Sequence, residues 1–340
     1  MYKTTRSFFT LIALLVLFST PAGTAFAAQA KWTVMVYMSG DNELEDYIVK
    51  DIEEELGLVG SSVDNKNNPV VNILALADRG PGYDTSRGDW QTTKLFYVTH
   101  GMSATPENEV ADWGERNFGD KQTLIDFVTW SKANYPADHY ALYFWGHGWN
   151  WHPGWAMQDD TPDVTQDDTG PYTLDYDEIK AAIPSLGFID MVGFDGCNMA
   201  SIEIYKLWRG HATAVAASQE YVNWNGIEYD VVLSQLVADP DMTAEQVAMA
   251  SAQSAIIQGG EKTFSVVAVD DRLDTLLTAV DQFAVALNNG LAKNRKQFHR
   301  VFGETSHLWK AKMNKDLYDM AYEINRLISD PDIQSKSQSV

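Results

Sequence analysis

Residues 70–77 read Val-Val-Asn-Ile-Leu-Ala-Leu-Ala, apolar at every position but Asn72. A strand with one wet face alternates apolar and polar residues, whereas a run without alternation must be covered on both faces. This one stretch calls for a sheet held between two layers of helix. Further apolar runs suit the same sheet at 31–39, 90–99, 139–145, 191–194, 212–217 and 263–270. Helical patterns separate them. Between 42 and 56 the residues Leu44, Tyr47, Ile48, Ile52 and Leu56 recur on one helical face. Residues 118–134, 174–183, 198–208 and 244–258 also read as helices, the last with Thr243 and Gln246 forming a capping box. From Arg272 onward the chain reads as helices broken near Gly290 and Gly303, and a polar tail from 329 to 340 is expected to be disordered. Alternating strands and helices predict an α/β fold, a mostly parallel sheet with helices on both faces.

Residues 1–27 have the form of a signal peptide. Lys3 and Arg6 precede an apolar stretch from Phe8 to Phe18, and Ala25-Phe26-Ala27 makes a small-x-small cleavage site. The stretch is too short to span a bilayer comfortably, and no later run approaches about 18 apolar residues. The mature chain is therefore expected to be exported, secreted or periplasmic, with no membrane attachment once the signal is removed. The full sequence's formal charge of −22 argues against nucleic acid or an anionic membrane surface as partner.

Export gives weight to Cys197, the only cysteine of the chain. A single cysteine cannot form a disulfide within its own chain, which leaves an inert core residue, an intermolecular bridge or a reactive thiol. Cys197 follows the apolar strand 191–194 and the pair Asp195-Gly196, where α/β proteins place their chemistry. A helix opening at 198 would put the thiol at a helix N-terminus, where the dipole stabilises thiolate. A nucleophilic thiol needs a base, usually histidine. Of seven histidines, His139 and His211 precede strands, His299 and His307 fall in the late helical region, and His152 lies in the long loop 149–174. His100 and His147 each end an apolar strand beside a glycine, and residue-level reasoning does not separate them.

Three blocks together resemble a known family. His147-Gly148 after one apolar strand, Asp195-Gly196-Cys197 after the next, and the opening Trp32 to Asn42 resemble the clostripain family of cysteine peptidases. Ser218-Gln219-Glu220 with Gly226 and Tyr229, and Asp316-Leu317-Tyr318-Asp319, resemble later parts of it. The resemblance implies a caspase-like fold shared with legumains, gingipains and caspases, in a single domain over 28–328 that is rich in helix from about 240. It implies Cys197 as nucleophile, His147 as its partner, and an oxyanion site from the backbone N–H groups of Gly148 and Cys197. It further implies cleavage of peptides or proteins after Arg or Lys, with Asp195 in the first specificity pocket and Glu220 as a second acid.

No cofactor is called for. Some relatives need calcium, and Asp159, Asp160, Asp163, Asp167 and Asp168 offer oxygens to Ca²⁺ in the long loop. Their spacing matches no EF-hand, so a solvated acidic loop is the preferred reading. Trp149, Trp151 and Trp155 either line the cleft or pack that loop down. The competing function is a catalytically silent or calcium-dependent binding protein on the same scaffold.

Overall fold

A computed structural model describes residues 29–81, 83–151, 173–307 and 314–340. The strands are β1 Ala30–Gly40, β2 Ser62–Val63, β3 Pro69–Arg79, β4 Lys94–Tyr97, β5 Glu109–Asp112, β6 Ala137–Trp145, β7 Ile189–Asp195, β8 Ala212–Ala217 and β9 Ser265–Ala268. Helix α1, Glu45–Lys50, continues through a π-helical stretch, Asp51–Leu56, into α2, Gly57–Val59. The others are α3 Lys121–Asn134, α4 Tyr176–Leu186, α5 Ile202–Trp208, α6 Tyr229–Ala238, α7 Ala244–Ile257, α8 Asp271–Glu304, α9 Leu317–Leu327 and α10 Pro331–Ser337.

The sheet runs β5-β4-β3-β1-β6-β7-β8-β9, with β2 beside β3. Its five central strands, β3 to β8 along that order, are parallel, while at the edges β4 pairs antiparallel with β3, β5 with β4 and β9 with β8. Side chains alternate across β1, as a pleated strand requires. Trp32, Val34, Val36 and Met38 enter one core with α1, α6 and α7, while Met35 and Tyr37 enter the opposite core with α3, α4 and α5. Both faces of the sheet are thus covered, as residues 70–77 require. Strand order reverses between β1, which is followed by β3 on one side, and β6 on the other. A crevice opens at the carboxyl ends of strands that diverge in this way.

Several local expectations are corrected. The helix read from 198 begins instead at Ile202, with Ser201 as its N-cap. Asn198 takes a left-handed φ of 59° and donates its side-chain N–H to Gln219 O at 2.9 Å. Asparagine tolerates that conformation, and such local side-chain bonds compete with helix. The strand read at 90–99 shrinks to β4, because Trp90 turns inward and donates Nε1–H to Ala104 O at 2.9 Å. Helix α6 was not legible as a helix at all. Gly290 does not break α8, whose single non-helical residue is Asn294.

The tail is not disordered: α10 is capped by Asp330 and buries Ile333. A side chain at Gly290 would place its Cβ 2.4 Å from Ile333 Cδ1, so that glycine is the seat into which the last helix docks. Phe283, Ala286, Val301, Ala321, Ile324 and Ile328 complete a small separate core around it.

Candidate active site

Three of the parallel strands deliver their next residues to one edge of the sheet. Met38 of β1 pairs with Trp145 of β6, and Trp145 pairs with Asp195 of β7. The turns that follow carry Glu43, His147 and Cys197, and the last two face a cavity of about 350 Å³. His147, Gly148, Asp195, Gly196 and Cys197 all line it. Its walls are aromatic: Tyr47 stacks on Trp224 at 5.4 Å, and Trp149 meets Tyr221 edge-on at 5.7 Å. Trp151 is exposed at 44 %.

Cys197 sits on a turn held from the side. Asn198 N–H donates to Glu220 O and Ala200 N–H to Ser218 O, each at 2.9 Å, so the turn runs along the segment leaving β8. The thiol makes a weak 3.8 Å contact to Val222 O. Burial pushes the thiol pKa up, outweighing the bond to Val222. This reverses the expected helix N-terminal stabilisation, because the first helical residue lies five positions beyond the cysteine.

Gly148 packs directly on that turn. A Cβ there would lie 2.5 Å from Cys197 O, 2.9 Å from Cys197 N and 2.9 Å from Met199 Cγ. Only glycine permits this approach. Two residues on, Asn150 is buried with a left-handed φ of 65°, and its Oδ1 accepts from Ser201 Oγ. The His147 and Cys197 turns are thereby tied together.

Asp195 is buried beneath the cavity, and both its oxygens accept from Ile227 N–H at 3.2 Å. Gly226 leaves room for the carboxylate, since a Cβ there would meet Asp195 Oδ1 at 2.3 Å. Burial, helped by the nearby Glu55 carboxylate, raises the Asp195 pKa to about 8. Glu55 and Asp51 of the π-helical stretch are buried behind it. Both carboxyls are pushed well above the usual carboxylate range, mainly through loss of solvation.

The structure leaves other expected residues out of the cavity. Glu220 is not among its lining residues; its carbonyl braces Asn198 instead, and residues 221–226 form the wall. His100 follows an antiparallel strand, and Tyr97 pairs with Leu74 while Lys94 pairs with Ala77. His100 therefore lies at the opposite edge of the sheet, exposed, with Nδ1 2.8 Å from Leu58 O. His152, Trp155 and the five loop acids lie outside the described residues, as does the signal segment. Among the described residues, Asp41, Asp78 and Glu115 bring carboxylate oxygens within 4.8 Å of one another, a spacing that suits a hard cation. No helix among the described residues is long and apolar enough to cross a membrane.

One contact had no forecast. His147 Nε2 lies 3.1 Å from Glu43 Oε1, on the turn after β1. The only sequence signal was an acid directly following the Gly-Asp-Asn turn at the end of a strand.

Residues 36–339 match the model of the Clostripain family. The chain belongs to that family. Among its clostripain-family relatives, clostripain of Hathewaya histolytica is 29% identical over 234 residues. That match takes in 61% of this chain and 42% of the relative, so the chain spans less than half the relative's length. Solved structures share the fold. A secreted C11 cysteine protease from Bacteroides thetaiotaomicron, in complex with an irreversible peptide inhibitor, aligns with TM-score 0.56 and 23% identity over 74% of this chain and 69% of that one. An inactive zymogen C11 protease from Parabacteroides distasonis aligns with TM-score 0.59 and 20% identity over 92% and 81%. The clostripain-family resemblance read from the sequence and the caspase-like α/β fold it implied are both borne out.

Proposed function

We propose that this clostripain-family chain is an exported cysteine endopeptidase that cuts after Arg or Lys through a Cys197–His147 dyad. The observation that carries the reading is the convergence of Cys197, His147 and the Gly148 backbone on one cavity at the switch point of the sheet. In the reaction, His147 takes the Cys197 proton as sulfur attacks the scissile carbonyl. It returns that proton to the leaving amine as the carbon–nitrogen bond breaks, and water then releases the acyl group from sulfur. Burial pushes the thiol pKa up, so a base that takes the proton favours attack. The Gly148 and Cys197 N–H groups lie on adjoining backbone, where two donors can meet the developing oxyanion. This chemistry calls for no cofactor.

Asp195 is the acid that would meet a basic side chain. A guanidinium or ammonium entering the cavity pairs with its carboxylate, and the aromatic walls pack along the aliphatic stem. Fluorogenic peptides differing only at the residue before the cut test the specificity. Cys197→Ala and His147→Ala test the dyad: both are expected to lose the activity, by roughly 10²–10⁴-fold for the histidine, while His100→Ala keeps it. Activity retained in either dyad variant would refute the assignment. A peptide-directed thiol label that reacts with Cys197 no faster than with an ordinary exposed thiol would favour a silent binding protein instead.

A further inference from the structure

We infer that Glu43 is a positioning residue for His147, holding the ring through Nε2 so that Nδ1 is the nitrogen that receives the thiol proton. The inference rests on the dyad reading above. The 3.1 Å contact sets Glu43 Oε1 against one ring nitrogen, and the carboxylate charge favours a proton on that nitrogen. In an imidazole, the hydrogen bond made by one nitrogen sets the tautomer and leaves the other free to act as base.

The turn that presents Glu43 is anchored on both sides. Asn42 is fully buried, donating its side-chain N–H to Ser39 O at 3.1 Å and accepting from Leu44 N–H at 2.9 Å. Glu45 is fully buried too and takes the Arg79 guanidinium at 2.6 Å. Between these fixed neighbours the Glu43 side chain stands exposed beside His147, which is only 28% exposed. The pair joins the turns after β1 and β6, the two strands at which the sheet reverses its order. An ion pair as exposed as this adds little to folding stability. Its effect is therefore expected on the orientation of the ring and not on the fold.

The test uses the full chain carrying Glu43→Ala, Glu43→Gln or Glu43→Asp, with wild type and His147→Ala for reference. Glu43→Ala should lower kcat about tenfold or more, a part of the roughly 10²–10⁴-fold that a positioned acid–base group supplies, with KM within about twofold of wild type. Glu43→Gln, whose amide oxygen still accepts from Nε2–H, should recover part of kcat. Nitrogen-15 spectra of labelled histidine should show His147 protonated at Nε2 in wild type and a tautomer mixture in Glu43→Ala. An unchanged kcat, or a rise in KM alone, would overturn the inference, the latter because it makes Glu43 a substrate contact. If His147→Ala itself stays active, the dyad fails and this inference falls with it. If His147 is essential while Glu43→Ala matches wild type in rate and spectrum, only this inference falls.

Discussion

Replacing Gly148 by alanine tests whether the backbone beside Cys197 works as an oxyanion site. The added Cβ would lie 2.5 Å from Cys197 O, whereas ordinary contact begins near 3.4 Å. The Cys197 turn must therefore retreat by about 0.9 Å. Neither neighbour yields cheaply, since the turn is bonded to Ser218 O and Glu220 O and Asn150 ties it back through Ser201. A misplacement of about 1 Å in a catalytic constellation costs about 10²-fold in rate, or about 2.7 kcal/mol of barrier. Overpacking of this kind also costs about 1–3 kcal/mol of stability, so the variant should be folded but less stable. The assay is kcat on a saturating fluorogenic peptide, corrected by active-site titration, beside a thermal melt. Gly303→Ala is the control, because nothing lies within 4 Å of its added Cβ; it should leave kcat unchanged and, as a helix glycine replaced by alanine, raise stability by at most about 1 kcal/mol. A folded Gly148→Ala protein with kcat within twofold of wild type would refute the close-approach argument.

The pH dependence of specificity follows from Asp195, whose carboxyl is neutral below its pKa of about 8 and charged above it. The preference in kcat/KM for an Arg over a neutral residue before the cut should widen as pH rises from about 6 to about 9. Asp195→Asn should flatten that trend, and a preference independent of pH in wild type would argue for a capping role. Glu45→Ala removes the nearer carboxylate of the buried Arg79 guanidinium, whose other acidic partner, Asp84 Oδ2, lies at 3.6 Å, and should cost about 3–5 kcal/mol in urea unfolding; a loss below about 1 kcal/mol would show that Asp84 compensates. Finally, residues 149–173 contain no Lys or Arg, and Lys180 lies within α4. An enzyme of basic specificity cannot cut itself there, so intact mass should remain that of one chain through the region. A split within 149–173 that forms in wild type and not in Cys197→Ala would overturn the basic specificity.

Much of this protein is determined locally. The apolar runs of β1, β3 and β6 state that both faces of the sheet are covered, because no alternation is left to expose one. Thr243 and Gln246 mark the start of α7, and the capping box forms as written. The pairing of a lone thiol with a strand end marks the functional edge. What the local pattern lacks is direction. His100 and His147 both end apolar strands beside a glycine, and an apolar strand reads alike whether its neighbour runs parallel or antiparallel. Only the pairing of β4 with β3, and of β6 with β1, sends one histidine to the far edge and the other to Cys197. The same holds for the contacts that shape the site. Glu43 reaches His147 across about a hundred residues of chain, and Tyr47 finds Trp224 across a still longer stretch. Ile333 finds Gly290 in a tail whose composition reads as unstructured. Such pairings arise when distant segments pack, where burial and sheet register outweigh the preferences that any single stretch of residues can express.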